Sequence, residues 1–446
     1  MPPLAPHPET SCEEVPRLPA TEPQIVSAPE AGQRYDGGKD AWATLIGAYV
    51  SKPCQYRYVS AFGIYQDYYT KDFLSLHSPS AISWIGSVQL FLQYAPGLLV
   101  GHAFDAGYFH HVVALGTFLQ IFSMFMLSLA HRNQYYQVFL AQGVGMGFGQ
   151  SMLFIPSLTI IGHHFKARRA LATGIAVSGA SVGGVVWPIL IHRLRLETSF
   201  ANMIRLTGAL SFVMLLVSNI LMKTRTQPAR LIGLGNLPKP KIGVVFSDAA
   251  YVVSVISAFC INLGIFFPYF YLQLFATNLG VDEARAFYCI TVLNGGSALG
   301  RLLPSFLADR AGAYNMLLVS LSITCGLAFA MFGLKDFSAV IVFAMCYGFW
   351  SGAYVSLIPC LLAQLSISPR EQGTRIGLAF SVVSLSLLVG NPIEGVLLRP
   401  NTDGSYDWYK SIIFYGCLIM CGTAGMAISR SLFVLQGRAR DRGRCI

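Results

Sequence analysis

Apolar residues run along this chain in long stretches that short polar segments separate. A helix needs about 20 predominantly apolar residues to cross the hydrocarbon core of a bilayer. Stretches of this kind predict twelve membrane-spanning helices, at 41–66, 81–104, 110–130, 136–160, 169–192, 203–222, 246–276, 284–308, 314–334, 337–364, 374–398 and 409–432. The pattern therefore predicts an all-α polytopic membrane protein.

Composition and charge agree with this interpretation. Of 446 residues, 54% are apolar or aromatic and only 12% are charged, too few charges for a soluble protein. The net charge of +10 does not indicate a nucleic-acid partner, because the cations collect in the loops. With twelve spans, 19 of the 31 Lys and Arg fall on one side and 9 on the other. This asymmetry predicts that both termini are cytosolic and that the lipid bilayer is the surrounding partner.

An internal repeat divides the spans into two sets of six. Landmarks recur at an offset of 203 or 204 residues: Asp105 with Asp309, Pro188 with Pro392, and Pro156 with Pro359. Several landmarks at one offset indicate two duplicated, pseudo-symmetric six-helix bundles. We expect the first bundle at 41–223 and the second at 244–433.

The remaining segments are polar. Residues 1–40 contain eight prolines and seven carboxylates without an apolar run, which predicts a disordered cytosolic tail. Prolines and glycines at 224–243 favour a flexible cytosolic linker between the bundles. Residues 434–446 form a basic tail, also expected in the cytosol.

The eighth span carries an arginine inside an apolar run. Arg301 would cost about 2.5–3.5 kcal/mol at the centre of a bilayer, so it is expected to face a partner or a water-filled path. Asn294, Ser297 and Arg301 share one helix face, at successive spacings of three and four residues. This face predicts one wall of a polar path. The alternative is that the side chain reaches the headgroups instead.

The first span is the least apolar, because Lys52, Pro53, Gln55 and Arg57 interrupt it. Two interpretations stay open. Either these cations face a central cavity from a broken helix, or the segment is a local irregularity such as a mistaken exon boundary.

Several stretches together resemble the major facilitator superfamily, and within it the fungal branch of the monocarboxylate-porter family. They are DGG at 36–38, SAFGIYQDYY at 60–69, SAISWIGSVQLF at 80–91, FKARRALATGIAVSGASVGG at 165–184 and GRLLPSFLADRAG at 300–312. The resemblance covers about 36–433. It implies two bundles that rock around a central site.

The resemblance also implies which helices line that site, namely 1, 4, 7 and 10. Together with the face of Arg301, these helices supply the substrate-binding candidates Arg57, Tyr65, Gln142, Gln150, Asn262, Tyr269, Asn294, Ser297, Tyr347 and Trp350, with Met146, Phe266, Tyr271 and Tyr354 beside them. Aromatic and amide side chains suit an amphipathic ligand as well as a short carboxylate.

Gating candidates lie at the predicted cytosolic ends of the spans. Arg168 and Arg169 crowd the fourth loop, and the Asp309–Arg310 turn resembles a family signature that locks the inner gate through charge pairs. Its counterpart keeps Asp105 but has Ala106 where a cation is usual. By this comparison the lock in the first half is in doubt.

Two departures concern proton coupling. Proton-linked members of the resembled family have a carboxylate one turn before the helix 8 arginine, where this chain has Ser297. Their helix 1 lysine aligns with Val59, two residues from Arg57. Glu394 is the remaining carboxylate within a span, near its outer end. A coupling proton therefore stays an open partner.

The sequence predicts a secondary transporter rather than an enzyme. It contains no nucleotide-binding loop, catalytic triad or metal cluster, and its ten cysteines are scattered singly, so no cofactor is expected. We favour export of a small anionic or amphipathic metabolite, such as a fungal secondary metabolite, across the plasma membrane. Uptake of monocarboxylates and a non-transporting sensor on the same scaffold are the alternatives.

Overall fold

The computed structural model describes residues 36–60, 65, 68–225, 242–366, 371–398 and 406–436. The first six spanning helices are α1 (Lys39–Ser60), α2 (Pro79–Tyr94, continued as Gly97–Asp105), α3 (Phe109–Ser128), α4 (Tyr135–His164), α5 (Arg169–Glu197) and α6 (Phe200–Leu221). The second six are α7 (Ala249–Gly264, continued as Phe267–Asn278), α8 (Glu283–Ala311), α9 (Ala313–Ala330), α10 (Phe337–Leu365), α11 (Gln372–Leu397) and α12 (Tyr409–Leu435).

These helices confirm the predicted all-α membrane fold. Within the described residues, nine helices are long and apolar enough to cross a bilayer. The other three are α1, α2 and α8. Charged side chains interrupt α1 and α8, whereas α2 is divided at Ala95 and Pro96. Most of the predicted tails and linker, at 1–35, 226–241 and 437–446, lie outside the described residues, so the domain boundaries stay a prediction.

Two helices are irregular near the middle of the fold. In α7 the helix stops after Gly264 and restarts at Phe267, where Pro268 occupies the first turn. In α4 a π-helical segment covers Phe139–Met146, a type of distortion that is frequent at functional sites. By contrast, α1 runs without interruption through Pro53. A broken helix was one of the two interpretations left open for this segment, and no break is seen at Pro53.

Each half of the chain has its own apolar core. One cluster of buried residues lies entirely between Ala41 and Met222. The other belongs mainly to the second half, and seven residues of the first half, Tyr94 among them, join it. Burial of apolar side chains therefore stabilises each half separately and also joins them.

The most extensive contacts between the halves join two helix pairs, α2 with α11 and α5 with α8. The pairs are related by the internal repeat, since α2 corresponds to α8 and α5 to α11. Close approach depends on glycine: a Cβ at Gly101 would collide with the carbonyl of Gly373, and one at Gly174 with the carbonyl of Arg301. The backbones of the two halves thus touch where a larger residue would separate them.

Candidate substrate site and gate

A cavity lies between the halves, where α1, α2, α4 and α5 face α7, α8, α10 and α11. The side chains that shape it include Tyr56, Tyr94, Phe154, Val177, Asn262, Phe266, Arg301, Tyr354 and Phe380. The volume open to the centre of a water molecule is about 50 Å³. Sites for drug-sized ligands measure roughly 300–1,000 Å³. The cavity is therefore contracted in this conformation and must widen to admit a metabolite.

Arg301 supplies the charge inside the cavity. It is 6% exposed, and its Nη1 donates to the carbonyl oxygen of Val177 on α5 at 2.6 Å. Its Nε is buried without a hydrogen-bond partner among the described residues. The side chain therefore points between the halves and does not reach the headgroups. A buried guanidinium with an unused donor can bind a carboxylate or another oxyanion.

Lys52 is a second buried cation, one layer behind the cavity wall. Its Nζ donates to Ser157 Oγ at 2.9 Å and to Gln55 Oε1 at 3.2 Å. It also lies 4.3 Å from the ring centroid of Phe154, which lines the cavity. Lys52 is close enough to Arg301 for the two charges to repel. Two cations of like charge, bonded to neutral groups, make this region favourable for an anion.

Aromatic rings form the remaining wall. The hydroxyl groups of Tyr56 and Tyr94 lie 2.7 Å apart, and the ring of Tyr94 stacks on Phe380 of α11 with centroids 5.5 Å apart. Phe154 meets both Tyr94 and Phe380 edge-on. This cluster of four rings crosses the boundary between the halves. It offers flat apolar surface and two hydroxyl groups beside the guanidinium of Arg301.

The predicted binding residues fall into two groups. Asn262 lines the cavity, where its Nδ2 donates to the hydroxyl oxygen of Tyr354 at 2.7 Å. Tyr269 lies within electrostatic reach of Arg301, with its hydroxyl 3.1 Å from Ser351 Oγ. Asn294 and Ser297 share the face of Arg301 as predicted, but they pack against α5 and α10.

The other candidates lie away from the cavity. In the first half, Gln142 Oε1 accepts from Tyr69, Gln150 Oε1 accepts from Gln89, and Tyr65 lines a separate outer pocket. In the second half, Tyr347 donates to the carbonyl of Ile265 at the break in α7, and Trp350 packs beside Phe349. The side chain of Arg57 lies outside the described residues. Their role in substrate binding stays a prediction.

The predicted gating residues Asp105 and Asp309 form a pair of equivalent helix caps. Asp105, at the end of α2, accepts from Gly373 N at 2.9 Å, Thr374 N at 2.6 Å and Thr374 Oγ1 at 2.7 Å, all at the start of α11. Asp309, near the end of α8, accepts from Ala170 N at 2.9 Å and Leu171 N at 3.0 Å at the start of α5. Each carboxylate meets unpaired amides and the positive end of a helix dipole.

These caps answer the doubt about the lock of the first half, which arose because Ala106 stands where a cation is usual. Asp105 needs no cation at Ala106, because its partners are backbone amides of the other half. Between the two caps, Arg169 Nη2 donates to Gln372 Oε1 at 3.1 Å. Gln372 is 203 residues after Arg169, so the repeat itself brings these two side chains together at the boundary of the halves.

The other two gating candidates are more peripheral. The backbone N–H of Arg168 donates to Asp36, whose carboxylate also accepts from Lys166 and Ala167. The guanidinium of Arg310 is exposed and lies 4.9 Å from the ring centroid of Phe306. A gating role for either arginine stays a prediction.

Comparison with known proteins identifies the fold and the family. A model of the Major Facilitator Superfamily matches residues 57–391. This chain belongs to that superfamily. It is 36% identical over 407 residues to "MFS-type transporter 1" of Ophiocordyceps sp. (strain BCC 1869), covering 90% of this chain and 87% of that one. It is therefore a multi-pass membrane transporter and not an enzyme.

Two further relatives carry names that mention export. The "Aspyridones efflux protein apdF" of Emericella nidulans is 34% identical, with 93% of this chain and 82% of the relative covered. The "Agnestins efflux protein AgnL12" of Paecilomyces divaricatus is also 34% identical, with 86% of each chain covered. Among solved structures, the Escherichia coli fucose:proton symporter FucP matches with a TM-score of 0.67 at 14% identity, covering 87% and 98% of the two chains. That likeness concerns the fold alone.

Helices 1, 4, 7 and 10, which were expected to line the site, do not supply every side chain that lines the cavity. Tyr94 comes from α2 and Phe380 from α11, and spacing along the chain does not predict that these two rings meet. Lys52 could be identified as a candidate from the sequence, because a lysine in a membrane span requires a polar environment. The resemblance to the family favours Arg57 as the cation of helix 1.

Proposed function

We propose that this transporter exports an amphipathic organic anion by alternating access, with the two halves rocking around the cavity of Arg301. The observation that supports this most directly is the pair of buried cations, Lys52 and Arg301. Neither has a carboxylate partner among the described residues. Removing a cation from water costs several kcal/mol unless an opposite charge compensates it. A bound anion would provide that compensation.

The aromatic cluster supports a substrate larger than lactate. A short acid has little apolar area to bury at about 25 cal/mol per Å². Tyr56, Tyr94, Phe154 and Phe380 instead present ring faces beside a single guanidinium. A molecule with a conjugated or cyclic body and one acidic group can use both surfaces at once.

Export from the cytosol is proposed by analogy to the relatives named as efflux proteins. The predicted cytosolic termini place the Asp105 and Asp309 caps at the cytosolic end of the cavity. Both caps must separate before a cytosolic substrate can reach Arg301. A plasma-membrane location and membership of the monocarboxylate-porter branch are parts of the same proposal.

The test combines gene deletion in the host with transport in sealed vesicles. We expect deletion to deplete at least one secreted organic acid from the medium and to raise its concentration inside the cells. Growth on lactate or pyruvate should be unchanged. Vesicles containing the protein should carry the affected acid. Vesicles with Arg301→Ala should not, whereas Arg193→Ala, which removes an exposed arginine on α5, should transport normally.

Two results would favour the alternatives. Loss of growth on the short acids, with secreted metabolites unchanged, indicates an uptake permease for monocarboxylates. Binding of the affected acid without any flux indicates a sensor on the same scaffold.

A further inference from the structure

Asp36 precedes α1 and holds the loop at 165–168, which connects α4 to α5. Its Oδ1 accepts from the backbone N–H of Lys166 at 2.8 Å and of Arg168 at 2.9 Å, and its Oδ2 accepts from that of Ala167 at 3.1 Å. The partners lie about 130 residues along the chain from Asp36. A single carboxylate therefore fixes three successive amides just before α5 begins.

The backbone of Asp36 is held in the same place. Its φ of +64° lies in the left-handed region, which aspartate and asparagine adopt more readily than other residues with a side chain. Such a conformation persists where surrounding contacts maintain it. Besides the carboxylate contacts, the backbone N–H of Asp36 donates to the carbonyl oxygen of His164 at 3.0 Å. Asp36 thus joins the end of α4 to the start of α5.

The next amides of the same backbone segment belong to the Asp309 cap. Asp309 of α8 accepts from Ala170 and Leu171, directly after the amides that Asp36 holds. Two carboxylates, one from each half of the chain, therefore bind five amides within a run of six residues. Each residue has only two soft backbone dihedrals, so the orientation of the first three amides limits the direction of the next two.

The equivalent helix start in the second half is also held from within its own half. Arg375 directly follows Gly373 and Thr374, the two residues of α11 that Asp105 caps. Its Nη1 donates to Asp248 Oδ2 at 3.0 Å, just before α7, and to the carbonyl oxygen of Leu365 at 3.1 Å, at the end of α10.

The repeat relates these contacts to those of Asp36, since α7, α10 and α11 correspond to α1, α4 and α5. In both halves a polar side chain joins the same three helix ends behind the cap. The chemistry differs, because the second half uses a buried ion pair and the first half uses a carboxylate on backbone amides.

We propose that Asp36 is a positioning residue of the cytosolic gate. It holds the loop at 165–168 so that the amides of Ala170 and Leu171 meet Asp309 when the halves close. All the contacts of Asp36 described above lie within the first half, so it acts on the gate through the start of α5. That the Asp309 cap gates transport rests on the proposed function, whereas the effect of Asp36 on this cap does not.

The thiol of Cys360 on α10 gives a direct measure of this contact. Arg169 lies between the two sets of amides, and its carbonyl oxygen accepts from Cys360 Sγ at 3.8 Å. The cysteine is 2% exposed and belongs to the other half. If the start of α5 leaves Asp309, water and reagents can reach the thiol, so its alkylation rate rises.

The experiment uses the full chain in lipid vesicles without substrate, with a water-soluble maleimide at constant pH and peptide mass spectrometry as the readout. Asp36→Gly removes the carboxylate and keeps the backbone conformation, because glycine adopts positive φ freely. We expect it to raise the alkylation rate of Cys360 about tenfold. Asp36→Asn, which keeps one acceptor oxygen, should give a smaller rise. Asp40→Asn, at an exposed acid that pairs with Lys223 at 3.2 Å, should react at the native rate.

Combined substitutions separate positioning of the cap from a general loosening of the first half. Where Asp309→Ala has already removed the cap, Asp36→Gly should raise the rate by less than about twofold. Together with Asp105→Asn, which affects the other cap, it should still raise the rate about tenfold.

Three results would overturn the proposal: a native rate in Asp36→Gly, an equal rise in Asp40→Asn, or the same increase with and without the Asp309 cap. These rates are measured without substrate. Absence of anion transport in vesicles would contradict the proposed function and would leave the positioning role of Asp36 unaffected.

Discussion

Substitution of both capping aspartates should open the cytosolic gate. Asp105 accepts three hydrogen bonds from α11, and Asp309 accepts two from α5. Changing either to asparagine removes the negative charge and leaves a single acceptor oxygen. The helix backbone is otherwise unchanged, so the substitution acts on the closed state with little effect on folding.

The expected size follows from these contacts. A hydrogen bond to a charged group contributes about 1.5–3 kcal/mol net, and a charge at a helix N-terminus adds about 0.3–2 kcal/mol. Allowing for the acceptor that asparagine keeps, each substitution should destabilise the closed state by about 1–3 kcal/mol. This corresponds to a rise of about 5- to 150-fold in the open population. The Asp105→Asn/Asp309→Asn double variant should exceed either single variant.

Cys360 on α10 is a native cysteine whose reactivity can report opening of the gate. It is buried, and its thiol donates to the carbonyl of Arg169 at 3.8 Å, directly beside the Asp309 cap. Opening the gate should expose this thiol, so its alkylation rate should rise with the open population. The rate is measured by peptide mass spectrometry after treatment with a water-soluble maleimide at constant pH. Asp336→Asn, at the opposite end of α10, is the matched control.

One result would refute this reasoning. If Cys360 in the folded double variant reacts at the native rate, the caps do not hold the gate closed. A rise of the same size in Asp336→Asn would show that the substitutions loosen the whole protein and do not act on the gate.

Four further outcomes are expected. Arg301→Ala should weaken binding of the exported anion by about 10- to 100-fold while the protein still reaches the membrane. Arg301→Lys should recover only part of this affinity, because lysine lacks the bidentate fork of the guanidinium. Normal binding by the alanine variant in vesicles would contradict this. Lys52→Met should reduce the same affinity less, because Phe154 separates the lysine from the cavity and only its electrostatic field reaches the substrate. Gly101→Ala should impair gate closure, because the added Cβ would meet the carbonyl of Gly373. Gly326→Ala, which has open space around it, should not impair closure. Equal reactivity of Cys360 in these two variants would contradict the prediction. Protease added to sealed cells should remove neither an N-terminal nor a C-terminal tag.

Much of the fold could be predicted from sequence because a bilayer imposes strong local rules. Apolar runs of spanning length define the helices, and the offset of 203 or 204 residues reveals the duplication. Arg301 was identifiable for the same reason, since a charge inside an apolar run requires a polar environment. Apart from the repeat, these inferences depend on composition and spacing along one helix at a time.

Contacts between helices could not be predicted in this way. Nothing in the spacing indicates that Lys52 lies near Arg301, that Tyr94 stacks on Phe380, or that Asp105 caps α11 of the other half. Each contact joins residues more than 100 positions apart, and its geometry depends on how closely glycines let the backbones approach. Periodicity shows which side chains share a face of one helix. Only the packing of the two halves decides what that face meets, and therefore whether a buried charge has a partner.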